Sequence, residues 1–126
     1  EGYVVIATLQ YNEHYVYYAP PDQIAAFSQL AAAGASAVSG SQAHHAQTFG
    51  FEDGTFIHYG PGNLFFDQMD MMGTRQMFVD TYAIYDGRIL GVELWTGLIE
   101  KWARPRLMTE EERIDLLQTV FQAGGW

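Results

Sequence analysis

The feature that most limits what this chain can fold into is the order of its first elements: strand, helix, strand, within about 35 residues. Tyr3 to Leu9 is a continuous apolar run rich in β-branched residues, the pattern of a strand covered on both faces. Pro20-Pro21-Asp22 opens a helix on which Ile24, Phe27, Leu30 and Ala31 share one face, and Gly34 is placed to end it. Ala35 to Val38 then reads as a second short buried strand. Such a βαβ unit makes the two strands parallel, with a right-handed crossover.

After Gly40 the pattern turns antiparallel. Asp53-Gly54 separates Thr48–Glu52 from Thr55–Tyr59, and Asp86-Gly87 separates Gln76–Tyr85 from Arg88–Leu98. Asp-Gly between two such runs is a strong hairpin signal, because both turn positions need a positive φ. A loop rich in Gly, Pro and Met, from Gly60 to Gly73, joins the hairpins. The last element is a helix from Glu110 to Gln122, with Thr109 and Glu112 at capping-box spacing. Ile114, Leu117, Val120 and Phe121 supply its buried face, and Gly124-Gly125 stop it.

The fold class is therefore α/β with α+β character: a βαβ unit, antiparallel hairpins and a C-terminal helix, in a single domain over residues 1–126. Two parallel strands with one crossover helix make a thin core. A further layer is expected over strand 1, from an upstream half of the same domain or from a second copy of the chain. The opening Glu1-Gly2, without a methionine and followed at once by an apolar run, reads as the start of a fragment or processed product.

Charge narrows the partners. Fifteen acids against six bases give a net charge of −9, which repels nucleic acid and anionic membrane. An anionic substrate would need a metal ion or a local group of arginines, for which Arg75, Arg104 and Arg106 are the candidates. The chain has no cysteine, which excludes disulfides, thiolate zinc sites and Cys nucleophiles. No run is long and apolar enough to span a bilayer as a helix.

The residues with chemical potential gather at one edge. Gln10 lies at the carboxyl end of strand 1, and Gln42 and His44 follow the carboxyl end of strand 2, the edge at which open α/β sheets bind ligands. Two apart in extended backbone, Gln42 and His44 would point the same way and could share one ion, with His45 pointing away. The same residues also suit a polar turn whose histidines bond to nearby backbone. Gly60-Pro61-Gly62 presents Asn63 and Asp67 from a constrained loop, or forms a tight turn that caps a strand. His58 reads as a core or edge histidine. Tyr11, Tyr15, Tyr17 and Tyr18 suit a groove for sugar or peptide, or a loop packed onto the sheet. Met69, Met71, Met72 and Met77 suit packing under the second hairpin, or a soft contact surface.

Gly40-Ser41-Gln42-Ala43-His44, then Gln47, then the run from Phe56 through Gly60-Pro61-Gly62-Asn63 to Asp67, resembles the signature GSHPHxxQ…IxYSLGNFxFD. That signature marks the CapA family of bacterial capsule synthesis proteins, associated with poly-γ-glutamate synthesis. Upstream, LQYNEHYVYYAPPDQ resembles the family's LHWGxEYxxxPxxxQ segment, and Ala32-Ala33-Gly34-Ala35 resembles its DAGAD turn. The resemblance runs from strand 1 through Asp67, and more loosely to the C-terminus.

The family is similar to calcineurin-like metallophosphoesterases, whose αββα sandwich holds two metals. The resemblance implies that this chain is the C-terminal half of such a domain, the other half supplying aspartates, an asparagine and a further histidine. It implies a role in capsule or poly-γ-glutamate biosynthesis or anchoring, outside the cytoplasm at the cell envelope, with the capsule polymer or capsule-assembly proteins as partners. The alternative is a metal-dependent hydrolase of phosphoesters or amides, a metal-bound water being the nucleophile. His44, Gln42, Gln10 and His14 would then stand at the metal (Mn, Mg, Ca or Zn), and Asn63, Asp67 and His45 at the catalytic positions. A third reading is an interaction module with a relic site. Among its departures from the signature, Gln10 and Gln42 replace histidines, and His14, beside Tyr15, replaces a glutamate. Amide oxygens suit hard cations and not zinc, so affinity for a transition metal should fall.

Overall fold

The computed structural model describes residues 3–126; the opening Glu1-Gly2 lies outside them. The element order is β1 (Ile6–Gln10), α1 (Pro21–Ala32), β2 (Ala37–Ser41), β3 (Phe49–Glu52), β4 (Thr55–His58), α2 (Met72–Arg75), β5 (Gln76–Tyr85), β6 (Arg88–Glu100), β7 (Arg104–Leu107) and α3 (Glu110–Ala123). One sheet has the order β1-β2-β4-β3 and the other β5-β6-β7. β1 and β2 are parallel, as the βαβ pattern requires, and β4 also runs parallel to β2 before pairing antiparallel with β3. The fold is mixed α+β, with no barrel.

Both Asp-Gly turns form as the sequence dictates, with φ values of 47° and 83° at Asp53 and Gly54 and of 48° and 69° at Asp86 and Gly87. The Thr109–Glu112 capping box is present in both directions. β7 was not legible: it follows a reversal in which Lys101, Trp102 and Ala103 all have positive φ, a conformation none of these residue types signals.

Away from β1, the mixed sheet is covered on both faces. Val38 and Ile57 face α1, where Phe27, Ala35, Tyr59 and Ala19 complete one core. Phe49 and Phe56 face the other way, against Phe78 of β5 and Leu116 and Val120 of α3. His58, fully buried on this second face, joins the sheets directly: its Nδ1 lies 2.7 Å and 3.0 Å from the carboxylate oxygens of Asp80 on β5.

Three expectations of burial are corrected. β1 is not covered on both faces; it is the edge strand, its residues alternate between half-buried and exposed, and Val5 and Ile6 are 48% and 41% exposed. Its Ala7 and Leu9, and Tyr11 just beyond it, pack against the α1 core. On α1, Gln23 takes the buried position beside Phe27 and Ile24 is exposed, because the Gln23 amide finds partners inside, donating to Gln47 Oε1 and the Tyr59 carbonyl. On α3, Leu116 and Val120 are buried while Ile114 and Phe121 are exposed; Arg113 turns inward instead, donating to the Leu94 carbonyl at 2.8 Å. Among the methionines, Met77 is buried against Gly97, while Met71 and Met72 are exposed.

Candidate functional site

The carboxyl ends of β1 and β2 bring Gln10 and Ser41 into register at one rim. Beyond them the chain leaves the sheet sharply, with φ of 79° at Gln42 and 55° at His44. This corrects the extended backbone expected there. The two side chains nevertheless reach one carboxylate, because the loop curls between them. Gln42 Nε2 donates to Glu13 Oε1 at 3.3 Å, and His44 Nε2 stands 3.9 Å from the same oxygen. Gln10 extends the ladder, its Nε2 donating to Gln42 Oε1 at 2.7 Å.

Asn63 fixes the other side of His44. The loop that carries it is held by isolated bridges from Pro61 to Ala46, ahead of β3, and from Gly62 to Met77 of β5. Gly62 has φ 87°, and a Cβ there would lie 2.5 Å from the Gln76 carbonyl oxygen, so only glycine fits. Asn63 Nδ2 donates to the Thr74 carbonyl at 3.0 Å, and at 3.3 Å to the His44 carbonyl and to Gln68 Oε1. Its Oδ1 is therefore turned to His44 Nδ1, 2.9 Å away. This network assigns a proton to Nδ1, so that in the neutral tautomer the lone pair lies on Nε2, facing Glu13.

Aromatic rings wall the imidazole. Tyr15 lies parallel to it, at 13° and 6.1 Å between centroids, and Phe66 sits 5.0 Å away on a tilt. The Tyr15 hydroxyl donates to Glu13 Oε2 at 3.4 Å and accepts from Gln68 Nε2 at 3.3 Å.

The structure does not bring every expected residue to this rim. His14 turns toward Tyr11, 6.3 Å between rings, with its Nε2 buried and unpartnered among the described residues. His45 is buried edge-on against Tyr17 at 4.3 Å, and burial lowers its pKa below the usual imidazole value. Asp67 is exposed, and no hydrogen bond holds it among the described residues. Sequence reasoning missed Glu13, Phe66 and Gln68. Glu13 had a signal: it stands one residue before the position at which the resemblance expects a glutamate, and the carboxylate has been replaced in sequence but supplied from next door.

A family model described as bacterial capsule synthesis protein PGA_cap matches residues 1–68. The chain belongs to that family. The match contains every rim residue from Gln10 to Gln68, and ends before the antiparallel sheet. No curated protein matches the chain. Family membership places this PGA_cap protein in capsule synthesis and so associates it with the cell envelope. Among the described residues, no helix is long and apolar enough to cross a membrane.

The donor set bears on a metal. His44 Nε2 and Glu13 Oε1 face one another, but Gln42 turns its N–H to the carboxylate and its oxygen to Gln10. No group of three or more His, Cys, Asp or Glu side chains converges among the described residues. Two donors leave a coordination sphere incomplete.

Proposed function

We propose that this PGA_cap protein acts in the biosynthesis or anchoring of a poly-γ-glutamate-type capsule, and that the rim from Gln10 to Asn63 holds the polymer through its amide groups. The observation behind this reading is the ladder of carboxamides on Glu13 and His44, raised at the carboxyl ends of parallel strands and flanked by exposed aromatic rings. Carboxamides pair with the peptide-like links of such a polymer without requiring charge. Arg106 is not free to neutralise the polymer's carboxylates, being bound to Glu100 and Glu112, so a bridging cation or Arg104 would do so. Titration of the chain with short γ-glutamate oligomers tests this. Gln42→Ala and His44→Ala together should weaken binding about tenfold, the loss of one or two good hydrogen bonds. Equal binding by the double variant would refute the assignment.

A metal-dependent hydrolase is the second reading, favoured by one observation. The Asn63 bond to Nδ1 holds His44 in a fixed tautomer with Nε2 presented outward, as a hydrogen bond to the far ring nitrogen does for ligating histidines. The missing donors would come from an upstream half of the domain, which would also cover the exposed edge of β1. Calorimetric titration of the full-length protein with Mn²⁺ should show a site lost in His44→Ala; heat of binding unchanged in that variant would exclude His44 as a ligand.

A further inference from the structure

The six basic residues of the chain, Arg75, Arg88, Lys101, Arg104, Arg106 and Arg113, all lie in its last 52 positions. Residues 1–74 hold seven acids and not one Lys or Arg. The rim built by this segment can therefore offer an anion no counter-charge of its own.

Its unsatisfied chemistry asks for the opposite. With Nδ1–H donated to Asn63 Oδ1, His44 turns Nε2 toward Glu13 Oε1, 3.9 Å away, and in its neutral form that nitrogen is a second acceptor. Gln42 Nε2 donates to Glu13 Oε1 at 3.3 Å, and among the described residues no donor reaches His44 Nε2. The second carboxylate oxygen receives only a long 3.4 Å bond from Tyr15, and Gln10 Oε1 is left open, since the Gln10 N–H₂ is turned to Gln42. Glu13 is half-exposed, and the rings of Tyr15 and Phe66 are each about two-fifths exposed beside it. A group with several N–H donors and a positive charge meets all of these demands: it donates to both facing acceptors and lies against aromatic faces that favour cations.

We propose that the rim is a site for a primary ammonium group, held by Glu13, His44 Nε2 and Gln10 Oε1 beside Tyr15. Two sources share this chemistry, an amino sugar and the free amino end of a γ-glutamyl chain. The inference rests on the rim being a ligand site and specifies which part of a ligand it takes.

The test is an NMR titration of this chain, following the His44 imidazole and the Gln10 and Gln42 side-chain amides. Glucosamine is compared with N-acetylglucosamine, and tri-γ-glutamate with its N-acetylated form. The free amine should bind at least about tenfold more tightly than its acetylated counterpart in one pair or both, which identifies the source. Glu13→Gln, a change at an exposed position, should remove that preference while leaving the backbone spectrum native. Equal binding of free and acetylated forms, or a preference that survives Glu13→Gln, overturns the ammonium site; if tri-γ-glutamate binds in either form, the polymer reading stands without it. Rim signals that respond to no probe overturn both.

Discussion

Residues 3–74 and residues 75–126 differ in how they use charge. In the first segment the polar groups of the rim are amides, one imidazole and one carboxylate, bonded in a ladder with no cation among them. In the second, basic groups serve the scaffold. Arg106 binds Glu100 at 2.9 Å and Glu112 at 2.6 Å and 2.7 Å, tying β7 to β6 and to the start of α3. Arg75 and Arg113 donate to the carbonyls of Ile99 and Leu94. The difference teaches that the antiparallel half braces the molecule while the parallel half keeps a surface whose charge is not cancelled internally. The family match, which stops at residue 68, falls on the same division.

The sharpest way to break this comparison is at the joint between the halves. Asp80→Ala should cost about 3 kcal/mol or more, because it strands the buried His58 without its partner. Chemical denaturation would measure it, and a loss below about 1 kcal/mol would mean that the sheets are joined by apolar packing alone. Next in size is a contrast of glycines. A Cβ on Gly40 of β2 would stand 1.8 Å from the Tyr59 carbonyl oxygen, whereas one on Gly91 of β6 meets nothing within 4 Å. Gly40→Ala should therefore destabilise by about 2–3 kcal/mol, and Gly91→Ala by no more than about 0.5 kcal/mol. Similar thermal midpoints for the two variants would contradict the tight closure of the parallel half.

Smaller effects sharpen the account of the second half. Thr109→Ala removes one side of the capping box and should cost about 1 kcal/mol, read by denaturant midpoint. Glu112 gives a pH signature. Its hydrogen bonds to Arg106, and then to the Thr109 backbone, lower its pKa to about 2 from its ordinary value of 4.5. A depressed carboxylate pKa stabilises the fold above the unfolded value and loses that contribution as pH falls toward the folded one. The native protein should thus lose stability between about pH 4.5 and 2 more steeply than Glu112→Gln, and parallel pH curves would show that the exposed pair contributes nothing measurable.

Much of this molecule was legible because the signals were local. Asp53-Gly54 and Asp86-Gly87 specify their turns through backbone conformations that few residue pairs adopt, and Thr109 and Glu112 satisfy each other within one helical turn. The rim was legible in part. Gln10, Gln42 and His44 could be placed at the carboxyl ends of strands from the βαβ order alone, but the reason they meet was not the expected one. Left-handed backbone at Gln42 and His44 has no residue signature, and Glu13 reaches them from a loop whose path depends on Tyr15 and Gln68.

The sequence by itself determined the elements, their order and the parallel crossover, since each follows from periodicity, turn chemistry and chain handedness over short spans. It also determined that the first 74 residues carry no Lys or Arg. Only the tertiary structure decided which faces are buried, that β1 is an edge, that His58 meets Asp80 across the sheets, and that a glutamate outside the expected set faces His44. These depend on which distant groups compete for one buried position or one hydrogen bond. That competition is settled by packing the whole chain at once, as when Gln23 takes an interior place from Ile24 because Gln47 and Tyr59 await its amide.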